Sequence, residues 1–199
     1  RHTMVAALVT GAVLLAGPAE RAAAWGTQAQ LALVSTALNV FANEANIPLG
    51  QLRRELLEGV NVSRGQLFER LGDQSGDPLR AIETEVYVLQ AVRPARIDPY
   101  YAYRIGMLGK LVAEVTAPMA TADPSFRDAY YADVEDAIDN LSLSSAALQQ
   151  VEPQPYLRQI ATLQNGRNDV IVSEYRSGIG FDGSAKLSLA EDASRSVRV

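Results

Sequence analysis

The side chains best placed for chemistry form two pairs at helical spacing, Lys110 with Glu114 and Tyr131 with Glu135. Residues four apart share one face of a helix, so each pair could point at a common ligand. A catalytic metal centre needs nitrogen, sulfur or carboxylate ligands that converge on one point. The chain has one histidine, at position 2, and no cysteine. We therefore expect no catalytic residue, no metal site and no cofactor.

Composition limits the classes of partner. With 199 residues, of which 48% are hydrophobic, the chain is long enough to bury a full core. Its 18 basic residues are scattered among 23 acidic ones, and the net charge is -5. Nucleic-acid binding relies on clustered Lys and Arg, so we expect no nucleic-acid partner. Without cysteine the chain can form no disulfide and has no thiolate nucleophile.

The periodicity of apolar residues from Trp25 onward is helical, and no alternating strand pattern runs for more than a few residues. Three Asp-Pro pairs, at Asp77, Asp98 and Asp123, each predict the start of a helix. The Asn165-Gly166 pair could split the helix in which it lies. We predict an all-α, multi-helix globular bundle. Its expected helices cover 28–44, 51–58, 66–71, 78–92, 100–116, 125–140 and 154–172, with a last one from about 185.

The first 24 residues have the layout of a secretory leader or of a membrane anchor. An apolar run over residues 4–17 follows a basic start, Pro18 breaks it, and three alanines precede Trp25 as an A-x-A cleavage pattern would. The run has about 14 residues and a spanning helix needs about 20, so cleavage and anchoring both stay open. The residues that would enter a membrane are Met4, Val5, Leu8, Val9, Val13, Leu14 and Leu15.

We therefore divide the chain into an N-terminal apolar helix within residues 1–24 and a helical domain over residues 25–199. The protein is expected to be exported, on the periplasmic or extracellular side of a membrane and possibly anchored to it. The tail carries no signal that stops a helix, and we expect the domain to continue beyond Val199.

Several of these residues follow a known pattern in order and spacing. Trp25-Gly26 directly follows the A-x-A site, and residues 105–120 match the frame L-G-x-x-x-H-x-x-x-D-x-x-x-P-x-H at Gly106 and Pro118. The chain thereby resembles the bacterial zinc-dependent phospholipase C and S1/P1 nuclease enzymes, which are exported all-α proteins. The family's zinc-ligand positions are occupied here by Trp25, Gln30, Lys110, Glu114, Ala120, Tyr131 and Glu135.

The resemblance implies a phospholipase-like bundle in which the enzymes hold a three-zinc cluster against a phosphodiester. Every matched histidine is replaced in this chain, and Lys110 puts a positive charge where a cation would bind. The resemblance thus implies a degenerate pseudo-enzyme. Lys110 and Glu114 could pair as a structural substitute for zinc, or they could form an ordinary exposed pair.

Tyrosines are the candidate contact residues, because a ring with a polar tip suits interfaces. We single out Tyr100, Tyr101, Tyr130 and Tyr131, and we expect that Tyr130 and Tyr131 cannot both face the core. The predicted function is a non-catalytic structural or interaction subunit. Its partners would be other protein subunits of a membrane or envelope assembly, or further copies of the chain, and the membrane itself through the N-terminal segment. The alternatives are a metal-dependent phosphodiesterase or phospholipase, and a carrier of an apolar ligand.

Overall fold

The computed structural model describes residues 25–44, 49–72, 76–92, 98–144 and 150–199, and every regular element in these ranges is a helix. The prediction of an all-α fold is confirmed. The predicted apolar segment 1–24 lies outside the described residues. Within the described part of the chain, no helix is long and apolar enough to cross a membrane. The α-helices are α1 Thr27–Glu44, α2 Arg53–Val60, α3 Arg64–Leu71, α4 Pro78–Ala91, α5 Pro99–Val115, α6 Pro124–Ala137, α7 Pro153–Asn165, α8 Asn168–Ser177 and α9 Ser184–Val197, with short 3-10 helices at Leu49–Leu52, Ile138–Asn140 and Gly180–Asp182.

Three helices begin at the predicted Asp-Pro pairs. The carboxylates of Asp77, Asp98 and Asp123 accept hydrogen bonds from backbone N–H groups in the first turns of α4, α5 and α6, at 3.0, 2.7 and 2.9 Å. Proline follows each cap at the first helical position, where its missing N–H costs nothing. The single helix expected over 154–172 is divided at Asn165-Gly166, the pair that could split it, because α7 ends at Asn165 and α8 begins at Asn168.

Apolar side chains form two main clusters. The first lies where α1, α6, α8 and α9 meet, and the fully buried Trp25 and Tyr130 are its largest members. The second joins α3, α4, α5 and α7 around Leu67, Met107 and Leu111. Helix α5 contributes to both clusters and packs against α1, α2, α4 and α7. It is therefore the central helix of the described structure.

Helices α2 and α5 cross at two glycines with their backbones in contact. A Cβ on Gly106 would lie 2.1 Å from the Leu56 carbonyl oxygen, and a Cβ on Gly59 would lie 2.1 Å from the Tyr103 carbonyl oxygen. The opposing atoms belong to the backbone, so no side-chain rotation could make room. This crossing requires glycine at both positions.

We expect Gly106→Ala to lower the free energy of unfolding by about 1–3 kcal/mol, because the added methyl group must push two backbones apart. The matched control is Gly65→Ala in α3, where a Cβ would meet no atom within 4 Å. Alanine should leave stability unchanged there or raise it by about 0.5–1 kcal/mol. Urea unfolding followed by circular dichroism measures both, and equal stabilities of the two variants would contradict this packing.

Candidate functional site

The start of α1 is held by a carboxylate from α6. The backbone N–H groups of Gln28 and Ala29 donate to the two oxygens of Glu135, each at 3.0 Å. A Cβ on Gly26 would lie 2.2 Å from Glu135 Oε1, so the carboxylate sits directly against the backbone that leads into the helix. Negative charge is stabilised at a helix N-terminus, where free N–H groups and the helix dipole coincide. Glu135 therefore caps α1 from a distant part of the chain.

Tyr131 joins the same region to the connection between α5 and α6. Its hydroxyl donates a hydrogen bond to the Pro118 carbonyl oxygen at 2.8 Å. Burial raises the pKa of Tyr131. The hydroxyl thus fastens α6 to the connection that follows α5.

The backbone is strained on both sides of this hydroxyl. Trp25 has a φ of 52° and Met119 a φ of 61°, and they are the non-glycine residues with positive φ in the described part of the chain. Both side chains are fully buried. Such conformations persist only where the surrounding packing enforces them. The region of Trp25, Tyr131 and Glu135 is therefore held tightly from several directions.

Glu114 forms a second polar group inside the bundle. Arg64 Nη1 of α3 lies 3.3 Å from Glu114 Oε2, although the angle is not that of a hydrogen bond, and neither carboxylate oxygen has a hydrogen-bond donor among the described residues. Burial raises the pKa of Glu114, while the charges of Arg64 and Lys110 act to lower it. The Lys110 and Glu114 residues are only 7% and 6% exposed. The two residues are therefore an internal charge group and not an exposed surface pair.

The structure brings some positions of the zinc-site pattern together and leaves one apart. Lys110 acts on Glu114 one turn further along α5, and Glu135 lies against Gly26, the neighbour of Trp25. Gln30 is buried in α1. Ala120 is exposed on the α5–α6 connection. Its methyl side chain offers no ligand atom. In the described residues, no three His, Cys, Asp or Glu side chains are grouped so that they could hold a metal ion.

The expectation that Tyr130 and Tyr131 cannot both be buried was wrong. The two residues are 0% and 4% exposed, and their rings meet edge to face with centroids 5.7 Å apart. Helix α6 is covered on two sides, because Tyr130 also packs on Phe181 while Tyr131 faces Pro118. Neither tyrosine is accessible as a contact residue in this chain.

The other two candidate tyrosines lie at the start of α5. Tyr100 is 65% exposed, and its hydroxyl accepts a hydrogen bond from Arg104 Nη1 at 3.1 Å. Tyr101 is half-buried, and its hydroxyl donates to the Leu89 carbonyl oxygen at 3.2 Å. Of the four candidates, Tyr100 is the one that presents its ring to solvent.

Two buried carboxylates that bind arginine were not predicted from the sequence. Glu85 of α4 is 1% exposed and is bound by Arg104, with Arg104 Nε 2.7 Å from Glu85 Oε1. Glu85 lies three residues after Ile82 and four before Leu89, so a charged residue within an apolar stripe was the available signal in the sequence.

Asp192 of α9 is also 1% exposed, and its carboxylate accepts hydrogen bonds from Arg167 at 2.7 Å and from Arg195 at 3.0 Å. Only the i,i+3 spacing to Arg195 could have indicated that group.

We expect Glu135→Gln to lower the free energy of unfolding by about 0.5–2 kcal/mol. A carboxamide can accept one of the two backbone N–H groups, but its own NH₂ group opposes the other. Asp136→Asn, which removes the same charge from an exposed position of α6, is the control and should change stability little. Thermal unfolding measures both variants, and a Glu135→Gln protein as stable as its control would refute the cap.

The buried Glu114 should make stability depend on pH. Because its pKa is raised in the folded protein, the folded state binds the proton more tightly than the unfolded chain. Stability is then lost as pH rises from the ordinary glutamate pKa of about 4.3 towards the raised value. Glu114→Gln removes this titration, so its stability relative to the wild type should increase as pH rises above about 4.3.

Urea unfolding at a series of pH values measures that difference. Glu69→Gln, on the exposed surface of α3, controls for the loss of one negative charge. A wild type that gains stability over Glu114→Gln as pH rises would reverse the predicted sign.

Comparisons of the chain with protein families, with characterised proteins and with solved structures gave no match.

Proposed function

We propose that the chain is a non-catalytic structural or interaction subunit of an exported or membrane-associated assembly. In this proposal the bundle is a zinc-phospholipase-like scaffold, and the side chains at the former zinc positions now tie helices together. The observation that carries the proposal is Glu135, whose two carboxylate oxygens are bound to the backbone at the start of α1. A carboxylate used as a helix cap holds the fold at the place where the resemblance implies a metal ligand.

The charges around Glu114 support the same proposal. A divalent cation at this carboxylate would share it with Arg64, whose Nη1 lies 3.3 Å from Glu114 Oε2, and would lie near the charge of Lys110. Like charges at such distances repel strongly where little water screens them. The two cations offset the buried negative charge instead, which is the task a metal would otherwise perform. The site therefore fits an internal ionic tie better than a hydrolytic centre.

The exposed start of α5 supports an interaction role. Tyr100 and Arg104 lie side by side there, with the Arg104 guanidinium carbon 5.8 Å from the centre of the Tyr100 ring. Tyrosine is among the residue types that most often anchor protein interfaces. Arg104 is itself largely buried by its ion pair with Glu85, and it supports the exposed ring of Tyr100 from below. The expected partner is another subunit of a membrane or envelope assembly, or a second copy of the chain, with segment 1–24 as the link to the membrane.

Zinc binding and hydrolysis test the non-catalytic part of the proposal. The full chain is incubated with zinc, desalted, analysed for metal, and assayed with bis(p-nitrophenyl) phosphate and with phosphatidylcholine vesicles. We expect no stoichiometric zinc to be retained and no hydrolysis above a blank. Stoichiometric zinc together with hydrolysis that Glu135→Gln abolishes would overturn the proposal in favour of a metal-dependent phosphodiesterase.

The size of the assembly in native cell envelopes tests the interaction part. Gently solubilised wild-type protein should migrate on native gels in a complex much larger than the 21.4 kDa chain. Tyr100→Ala should weaken that complex, whereas Tyr87→Ala, at a 63% exposed position of α4, is the matched control. Migration of the wild type as a monomer would contradict the role.

A further inference from the structure

We propose that the connection between α8 and α9 docks on the surface of a lipid bilayer, with Ile179 and Leu187 as the side chains that enter the lipid. This region, residues 178–187, is here termed the α8–α9 corner. The inference rests on the membrane link through segment 1–24 that is proposed above, and it adds a second point of contact. The expected ligand is the neutral zone of headgroups and upper acyl chains.

Two large aliphatic side chains of the corner are exposed to water. Leu187 is 85% exposed, the largest exposed fraction of any large hydrophobic residue in the described part of the chain, and Ile179 is 54% exposed. Each forgoes the free energy that burial of an aliphatic side chain provides. Scattered single aliphatic residues are normal on a protein surface, whereas two on one corner form a candidate contact surface.

The backbone around Ile179 is ordered by the end of α8. Gly178 and Gly180, on either side of it, have φ angles of 84° and 61°, which glycine adopts without strain. The Gly178 N–H donates to the Tyr175 carbonyl oxygen at 3.3 Å, and the Ile179 N–H donates to the Glu174 carbonyl oxygen at 3.0 Å. These bonds close the helix in the usual way of a glycine C-cap, so the exposed isoleucine lies on a defined turn.

The carboxylate of Glu174 fixes the other side of the corner. It accepts hydrogen bonds from the Ser184 N–H and the Ser184 hydroxyl, each at 2.8 Å, at the first residue of α9. A Cβ on Gly183 would lie 2.6 Å from this carboxylate, so the two elements are in close contact. Leu187 follows on the first turn of α9. Because one residue binds both sides, Ile179 and Leu187 are held in fixed relative positions.

The corner lies near the point at which segment 1–24 joins the domain. Phe181 packs on Tyr130 of α6 with ring centres 6.4 Å apart, and the start of α1 is bound to Glu135 of the same helix. Five residues separate Tyr130 from Glu135, which is about 7.5 Å along the helix. Residues 18–24 connect the apolar run to the domain and span at most about 25 Å. A bilayer that holds the apolar run is therefore within reach of the corner.

The charges of the corner balance each other. From residue 174 to residue 187 the charged side chains are Glu174, Arg176, Asp182 and Lys186, so the formal net charge is zero. Lys186 Nζ lies 2.9 Å from Asp182 Oδ1 on the exposed side. Docking by the two aliphatic side chains should therefore need no anionic lipid, and added salt should leave it unchanged.

Fluorescent labels at single positions of the full chain test the docking. The chain has no cysteine, so Ile179→Cys and Leu187→Cys each accept one thiol-reactive NBD group. The proteins are reconstituted in phosphatidylcholine vesicles with and without lipids that carry a doxyl quencher on the acyl chain. We expect the emission of both labels to shift to shorter wavelength and to be quenched by the doxyl lipids. Glu69→Cys, on the exposed surface of α3, is the matched control and should keep its label in water.

A second substitution measures the contribution of one side chain. In the labelled Ile179→Cys protein, Leu187→Ser should lower the ratio of docked to undocked corner by about tenfold, because one of the two aliphatic groups no longer gains from burial. Leu163→Ser, at a 50% exposed position of α7, should leave that ratio unchanged. Equal effects of the two serine variants would contradict the assignment of Leu187.

Vesicle flotation of the same samples separates the ways in which the inference can fail. If the chain floats while the labels at positions 179 and 187 stay in water, the docking is wrong and the membrane link stands. If the chain does not float, the membrane link and the docking are both wrong. A shifted emission that doxyl lipids do not quench would overturn the lipid assignment in favour of contact between copies of the chain.

Discussion

Charge neutralisation around the central helix α5 is the constraint on which the rest of the bundle depends. This helix carries Arg104, Lys110 and Glu114 into positions where little water reaches them, and a buried charge without a partner destabilises a fold by several kcal/mol. Its neighbours therefore have to bring opposite charges to fixed places. Helix α4 supplies Glu85 to Arg104, and α3 supplies Arg64 to Glu114. Apolar burial drives these helices together, and the ion pairs select how they are aligned.

Much of the fold could be predicted from the sequence, because the patterns that start a helix or pair two side chains on it involve only neighbouring residues. An aspartate followed by proline caps and opens a helix whatever lies around it, and the three such pairs open α4, α5 and α6. The Lys110 and Glu114 relationship was also local, since four residues on one helix fix their proximity. The proximity of Arg64 to Glu114 could not be predicted in this way. Fifty residues separate Arg64 from Glu114, and only packing of α3 beside α5 brings the two charges together.

The candidate site was predicted in part, and the error at Tyr130 and Tyr131 has a clear physical origin. Adjacent helical residues point about 100° apart, so a helix with one buried face exposes one of them. Helix α6 has two buried faces, one where Tyr130 packs on Phe181 and the other where Tyr131 binds the α5–α6 connection at Pro118. The spacing of apolar residues in a sequence indicates the width of a helix's apolar face, but it does not show that Tyr131 can bury its hydroxyl by donating to the Pro118 carbonyl oxygen. The cap by Glu135 was missed as a cap for a related reason, because it acts on a helix 106 residues away in the chain.

The glycine crossing of α2 and α5 has a mechanical consequence. Where two backbones touch without intervening side chains, neither helix can slide or rotate against the other without a steric clash. The two helices therefore move as one rigid unit. Side-chain layers, in contrast, allow small shear movements between helices. Any small movement within the described part of the bundle is thereby directed away from the α2–α5 contact and towards helices that meet through side chains. The α2–α5 pair moves as one unit in any such change of shape.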